Sequence, residues 1–390
     1  MFKKKIISIV LVIVMIIGMS TMCVNAITYY SSTHGLAIGQ EYYIMSESAK
    51  KLLAVNTSAT VLEETVVTSS LGSSTKKQWY VLETNGNFYL TSKYYNNGSG
   101  LAIYGSYPCR MPSAETNGTM CQFNIRRVSY VGNATEQGRY TIMNGSKYLA
   151  CDSNGNLSTT ETYSSDCLWS LMRTEKIGTA LYSFNYTGGN NPINSSVNNQ
   201  LFSNVMSTLG YTYLASVNDS AGNAYSVLPN KDIFIYAGHG DKGKIVFYSN
   251  QGTANGCIKA SVDVGGGGTT SYVINTTAID LSSSRCILYI GCHTGTNHSS
   301  GVNLVNETYQ RGAHFVLGAT RTIYGEGANG FIRFFLESVQ AGASIERAIS
   351  NAIEKTGEVK VKNDTTGNCE YIEEFPIYYV GDTSQYLNIP

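Results

Sequence analysis

Apolar residues along this 390-residue chain follow two different rhythms. In the second half they come in continuous blocks: ALYSFNY (180–186), TYLASV (212–217), DIFIYAG (232–238), RCILYIG (285–291) and HFVLGA (314–319). Each reads as a strand, and 232–238, nearly continuous in apolar residues, as one covered on both faces. Between the first two, Val197, Leu201, Val205 and Leu209 recur at helical spacing, ended by Gly210. The loop 187–196 before them supplies Asn194, Ser195 or Ser196 as a cap. Further helices are expected from Ser300 or Gly301 to near Gly312, over Asn329–Val339 and over Ser344–Ile353. KIVFYSN (244–250) reads as a side hairpin, and YIEEFPIYYVGD (371–382) as closing strand material. Gly265–Gly268 reads as a flexible run and the place for a processing loop. Strand alternating with helix predicts a mostly parallel α/β sheet with helices on both faces.

The first half repeats itself. Aromatic-rich strands open at EYYIMS (41–46), NFYLTS (87–92) and RYTIMN (139–144), roughly 46 and 52 residues apart. Each is followed by a Leu-containing strand: KLLAV (51–55), GLAIY (100–104) and KYLACD (147–152). Each unit closes near an aromatic strand: KQWYVLE (77–83), CQFNIRR (121–127) and CLWSLMR (167–173). Asn96-Asn97-Gly98, Asn117-Gly118 and Asn154-Gly155 mark turns, and no helical period interrupts them. Three units of four short strands predict an all-β trefoil over about 38–175. Gln78-Trp79-Tyr80, Gln122-Phe123 and Leu168-Trp169 resemble, loosely, the Gln-x-Trp signature of ricin-type β-trefoil lectins. That resemblance implies a sugar pocket built on an Asp, an aromatic platform and an Asn or Gln. Only the third repeat has an Asp at the matching strand end, Asp152. A trefoil that spaces domains or binds protein is the competing reading, since fold and function are separate claims.

Composition fixes the setting more than the chemistry. Formal net charge is zero and only 14% of residues are charged, so nucleic acid is not an expected partner. Lys3, Lys4 and Lys5 precede an apolar run, Ile6 to Ile17, too short to span a bilayer comfortably, and Val24 and Ala26 supply small residues at a cleavage site. Residues 1–26 therefore read as a secretory signal, with an uncleaved anchor as the alternative. The expectation is a secreted, extracellular protein without a stable span after cleavage. Eight Cys remain, and a secreted chain favours disulfides. Cys109 with Cys121, and Cys151 with Cys167, are local pairings the spacing allows, while Cys286 lies inside a buried strand as a core thiol.

Two of the apolar blocks end in chemistry. IFIYAGHGD (233–241) runs into His239-Gly240, and ILYIGCHTG (287–295) into Gly291-Cys292. Carboxyl ends of sheet strands are where open α/β folds build sites. A thiolate nucleophile needs a base, and histidine serves near neutral pH. Backbone N–H groups of Gly240 and Cys292 could receive a developing oxyanion. His239, Cys292, His293 and His298 could instead be metal ligands, but they lack paired Cys-x-x-Cys or His-x-x-x-His spacing, so no metal is expected. His293 and His298 read as rim residues, and His314 has no role assigned.

These blocks, with GAHFVLGATRTIYGEGANGFIRFFLESVQAGASIERAISNA (312–352), resemble the caspase-like cysteine peptidases of clan CD, the gingipain, clostripain and CHAT type. The resemblance covers about 178–355, inside a second domain of 178–390. It implies His239 as general base, Cys292 as nucleophile, peptide-bond hydrolysis, and no cofactor beyond a structural calcium. Thr320-Arg321-Thr322-Ile323-Tyr324 departs from the Trp-containing segment many CHAT members have there, which leaves Arg321 and Glu326 as the charged pocket candidates. The expectation is a secreted cysteine endopeptidase, acting on protein or peptide and targeted by a trefoil lectin to glycan or cell-wall carbohydrate. The alternative is a carbohydrate-binding protein whose peptidase-like half is silent. A redox thiol is disfavoured because Cys292 has no close resolving Cys.

Overall fold

The computed structural model describes residues 28–29, 36, 39–55, 66–69, 75–95, 100–105, 107–111, 118–129, 139–184, 195–248, 253–266, 268–276 and 278–388. Residues 1–26, expected to be a secretory signal, most of the loop expected over 187–196 and the turn expected at 96–98 lie outside them.

The first half is a three-fold β structure. A short strand β1 (Thr28–Tyr29) pairs with β9. The first repeat holds β2 (Glu41–Ser46), β3 (Leu52–Val55), β4 (Val66–Ser69) and β5 (Gln78–Thr84). The second holds β6 (Asn87–Ser92), β7 (Gly100–Tyr104), β8 (Tyr107–Met111) and β9 (Asn124–Ser129). The third holds β10 (Tyr140–Asn144), β11 (Lys147–Cys151), β12 (Leu157–Thr160) and β13 (Trp169–Arg173). First and fourth strands of the repeats close on one another. β2 pairs β5, β5 pairs β6, β6 meets β9 through the Phe88–Phe123 bridge, β9 pairs β10, β10 pairs β13 and β13 returns to β2. The second and third strands of each repeat pair as hairpins, β3–β4, β7–β8 and β11–β12. A barrel of first and fourth strands with three outer hairpins is a β-trefoil. Its core is the aromatic and aliphatic set the repeats contribute, including Trp79, Phe88, Phe123, Tyr140 and Trp169, all buried. The indole N–H groups of Trp79 and Trp169 donate to Leu53 O and Leu149 O, both at 3.0 Å, so the same bond recurs in repeats one and three.

The second half is an α/β layer structure. Its main sheet runs in the order β15 (Tyr213–Val217), β14 (Thr179–Ser183), β16 (Ile233–Ala237), β21 (Cys286–Ile290), β22 (Phe315–Ala319) and β26 (Ile377–Gly381). The first five are parallel and β26 is antiparallel. Every residue of β14, β16, β21 and β22 is buried, as the continuous apolar blocks require. One face carries α1 (Ser195–Thr208), α4 (Gly325–Gln340) and α5 (Ile345–Thr356), through residues such as Val205, Phe331, Phe335 and Ile349. The other carries α2 (Ala221–Val227), α3 (Leu304–Gln310) and a small sheet of β17 (His239–Asp241), β18 (Lys244–Tyr248), β19 (Ala254–Lys259) and β20 (Ser271–Val273). A third sheet joins β23 (Thr322–Ile323), β24 (Val359–Lys362) and β25 (Cys369–Ile372).

Several expectations change. α3 starts at Leu304, three residues late, because Asn303 Oδ1 caps Val305 N at 2.9 Å. α4 starts at Gly325, four residues early, despite its glycines, because Gly327 and Gly330 pack tightly against Val359 and Thr356. The glycine run is no plain linker. Gly268 has φ +86°, and a Cβ on it would lie 2.5 Å from Gly256 N, so it is held against β19. Gly267 lies outside the described residues. No disulfide forms between the cysteines paired above. Cys109 and Cys121 sit as thiols in one apolar cluster. Cys151 and Cys167 instead donate to carbonyls of their own turns, Asp152 O and Thr162 O.

The two halves meet at the amino edge of the main sheet. Arg127 of β9, fully buried, donates to Ala313 O at 2.6 Å and stacks on Tyr309 at 4.0 Å. Arg285, at the start of β21, donates to Arg173 O and Glu175 O and pairs with Asp232 at 3.1 Å. Ser170 of β13 donates to Asp382 at 2.5 Å, and Tyr386 packs on Tyr43, Met45, Leu52 and Met172. The unassigned His314 belongs here: it is buried, and its Nδ1 lies 2.8 Å from Gln385 Nε2. The opposite, carboxyl edge of the sheet lies about 17 Å away along five-residue strands.

Candidate active site

Register brings the two motifs together. β16 and β21 are neighbouring parallel strands, and their last paired residues are Ala237 and Ile290. His239 and Cys292 are each the second residue beyond that pair. Gly238 N donates to Ile290 O at 3.1 Å, which extends the register into the turns. The two turns then touch backbone to backbone. A Cβ on Gly240 would lie 2.6 Å from Thr294 Cγ2 and 2.7 Å from Cys292 O. A Cβ on Gly291 would lie 2.9 Å from Gly238 O and 3.2 Å from Gly240 N. Only glycine fits at either position, so the glycines flanking the imidazole and the thiol set how closely they approach.

Other groups hold the turns. Thr294, buried, donates to Tyr289 O at 2.7 Å and accepts from Ala319 N at 3.0 Å, tying the Cys292 turn to β22. The buried Tyr236 hydroxyl lies 2.7 Å from His239 O and 2.6 Å from Val246 O. The His239 ring packs on Tyr248 with centroids 4.6 Å apart. The Cys292 thiol donates to Ile323 O at 3.6 Å. Tyr236 and Tyr248 are not singled out by sequence, while Thr294 stands in the Gly-Cys-x-Thr-Gly pattern and Ile323 in the 320–324 segment without a role for either.

Electrostatics keep both groups neutral at rest. Burial lowers the His239 pKa below its usual value. Burial raises Cys292, opposed by backbone hydrogen bonding at Ile323 and at Cys292 itself and reinforced by the negative charges of Asp241 and Asp364. Both residues are half-buried, so reagents can reach them.

The remaining candidates are placed as follows. His293 adopts φ 58° and its Nε2 lies 2.9 Å from Thr322 Oγ1 and 3.3 Å from Asp364. His298 lies at the rim with Nδ1 2.9 Å from Ser300 Oγ. Arg321 pairs with Glu370 at 2.5 Å, and Glu326 is exposed in the first turn of α4. Ile323 O accepts from the Cys292 thiol, and Tyr324 OH stands 2.9 Å from the exposed Cys369 Sγ. Asp152, in the trefoil, closes its own turn. Its Oδ1 accepts from Asn154 N at 2.9 Å and Asn156 N at 2.8 Å, and Oδ2 from Asn156 Nδ2 at 2.8 Å. Among the described residues, no three His, Cys, Asp or Glu side chains gather as a metal cage, and no helix is long and apolar enough to cross a membrane.

No protein-family model matches the chain, and no curated protein matches it. Among solved structures it is similar to a designed three-fold symmetric protein, ThreeFoil, at 16% identity and TM-score 0.28, over 34% of this chain and 97% of that one. It is also similar to the ricin B-like lectin of Macrolepiota procera in complex with lactose, at 16% identity and TM-score 0.28, over 35% and 98%. The BEL β-trefoil matches at 11% identity and TM-score 0.29, over 35% and 95%. Each likeness spans about a third of this chain, and the trefoil assignment rests on the strand pairing.

Proposed function

We propose that the α/β half is a caspase-like cysteine endopeptidase, with Cys292 as nucleophile and His239 as its base. One observation carries the reading: an imidazole turn and a thiol turn, each flanked by glycine, pack against each other at the carboxyl ends of neighbouring parallel strands. The strand order, with five parallel strands and one antiparallel edge, supports it.

His239 takes the thiol proton as Cys292 sulfur bonds to the scissile carbonyl carbon. The carbonyl oxygen becomes an oxyanion received by the Gly240 and Cys292 N–H groups. The C–N bond breaks, the imidazolium returns its proton to the leaving amine, and a thioester remains. His239 then removes a proton from water, which attacks the thioester and releases acid and thiol. Residues 321–326, with Arg321 held by Glu370, wall the side where the substrate side chain lies.

The leader-like residues 1–26 support export, and the trefoil supports attachment to glycans. Incubating the mature protein and Cys292→Ala with a mixed peptide library tests the enzyme. Cleavage by wild type alone fits the proposal. Equal cleavage by both, or none by either even after limited proteolysis and added calcium, leaves the silent, carbohydrate-binding reading in its place.

A further inference from the structure

The polar pocket at the edge of the trefoil lies away from Asp152. It has a volume of about 410 Å3 and lies where repeats two and three adjoin. Asn87, Thr119, Gln122, Asn124 and Asn144 contribute to its wall, and no charged residue does. Asn144 is fixed: its Nδ2 donates to Thr119 O and Gln122 O, both at 2.8 Å, which leaves Oδ1 as its acceptor. Asn124 Oδ1 accepts from Arg126 Nε at 2.9 Å, which leaves its amide hydrogens as donors. The wall therefore combines pre-oriented amide donors and acceptors without net charge.

A pair of exposed tyrosines lies on the hairpin that is tied to it. Tyr104 and Tyr107 are a cross-strand pair at the tip of the β7–β8 hairpin, 68% and 76% exposed, the two most exposed tyrosines of the trefoil half among the described residues. One hydrogen bond and one packing contact join the hairpin to the pocket. Lys147 Nζ, on the turn that carries Asn144, donates to Gly105 O at the hairpin tip at 2.6 Å. Behind the tip, Ala102 and Cys109 of the hairpin cluster with Cys121 and with Met120 of the pocket wall.

We infer that this pocket and the Tyr104–Tyr107 pair form one binding site for a neutral oligosaccharide. Hydroxyl groups satisfy amides that can both give and accept hydrogen bonds, and sugar ring faces cover exposed tyrosine rings. The wall itself carries no charged residue, and the neighbouring Lys147 and Arg126 cations are engaged by Gly105 O and Asn124 Oδ1. The inference rests on the reading of the trefoil as a glycan binder and moves the site from the hairpin of repeat three to the joint of repeats two and three.

The test measures retention of the mature protein on immobilised neutral and sialylated oligosaccharides, alongside Tyr104→Ala/Tyr107→Ala, Asn87→Ala, Asp152→Asn and Cys292→Ala. The tyrosines are exposed, so their removal leaves the fold intact. Retention on neutral sugars, weakened about tenfold or more by the tyrosine double variant and by Asn87→Ala, and unchanged in Asp152→Asn and Cys292→Ala, supports the site. Retention lost in Asp152→Asn but kept in the pocket variants overturns this site while leaving the trefoil a glycan binder. So does retention confined to sialylated sugars. No retention of wild type on any sugar overturns both.

Discussion

Adding one methyl group at Gly240 is the sharpest perturbation of the paired turns. In Gly240→Ala the new Cβ meets Cys292 O at 2.7 Å, Gly291 C at 3.0 Å and Thr294 Cγ2 at 2.6 Å. Carbon to carbonyl-oxygen contacts normally begin near 3.3 Å, so the two turns must part by about 0.6 Å. Two of the three obstructing atoms are backbone, and Thr294 is pinned to Tyr289 O and Ala319 N. Overpacking of this kind costs about 1–3 kcal/mol. A shift of that size between reacting groups, against about 100-fold for 1 Å, lowers the reaction rate about tenfold or more. The assay pairs urea unfolding with the second-order rate of Cys292 modification by a peptide chloromethyl ketone. Gly265→Ala is the control, because a Cβ there meets nothing within 4 Å. Gly240→Ala modified at the wild-type rate, with no more loss of stability than the control, would refute the paired-turn geometry.

Thr294→Val removes the acceptor of the buried Ala319 N–H and costs about 1–3 kcal/mol in urea unfolding, with Thr294→Ser keeping most of it. Arg127→Met leaves the carbonyl of Ala313 without its buried donor and lowers the calorimetric unfolding midpoint, by about 1–3 kcal/mol in stability; an unchanged midpoint counts against the interface between the halves. Burial pushes Glu47 upward, but Arg139 and Lys50 pull it further down, to about 2 from 4.5. The unfolded state therefore takes up this proton first as pH falls. Its stabilisation is present above pH 4.5 and is lost toward pH 2. Urea unfolding at a series of pH values should show that acid limb in wild type and a shallower one in Glu47→Gln, which is also less stable at neutral pH.

The three-fold pattern was legible because each repeat spends its aromatic residues on the barrel core, so Trp79, Phe123 and Trp169 carry the period. The main sheet was legible because strands buried on both faces cannot hide their composition. Legibility ended where tertiary contacts overrode local preference. Gly325 and Gly327 look like loop residues, and they lie in α4, where Gly327 packs closely against Val359. The β23–β24–β25 sheet has short, polar strands with no apolar block to announce it. At the site, Cys292 and His239 stood out as chemistry after apolar runs. Tyr236 and Tyr248 did not, since a tyrosine near a strand end has no distinctive spacing. Asp152 drew notice by its place after β11, yet Asn154-Gly155-Asn156 turns its carboxylate back on its own backbone. The pocket between repeats two and three draws on residues from 87 to 145, which no local motif connects.

The pH dependence of Cys292 modification, in wild type and His239→Ala, addresses the dyad most directly. Burial holds the thiol above its usual pKa of 9.0 and the imidazole below 6.5. With His239 as the base, wild type reacts along an acid limb that rises below pH 6.5, and His239→Ala reacts only as pH climbs above 9.0. Superimposable profiles in the two proteins would contradict the dyad.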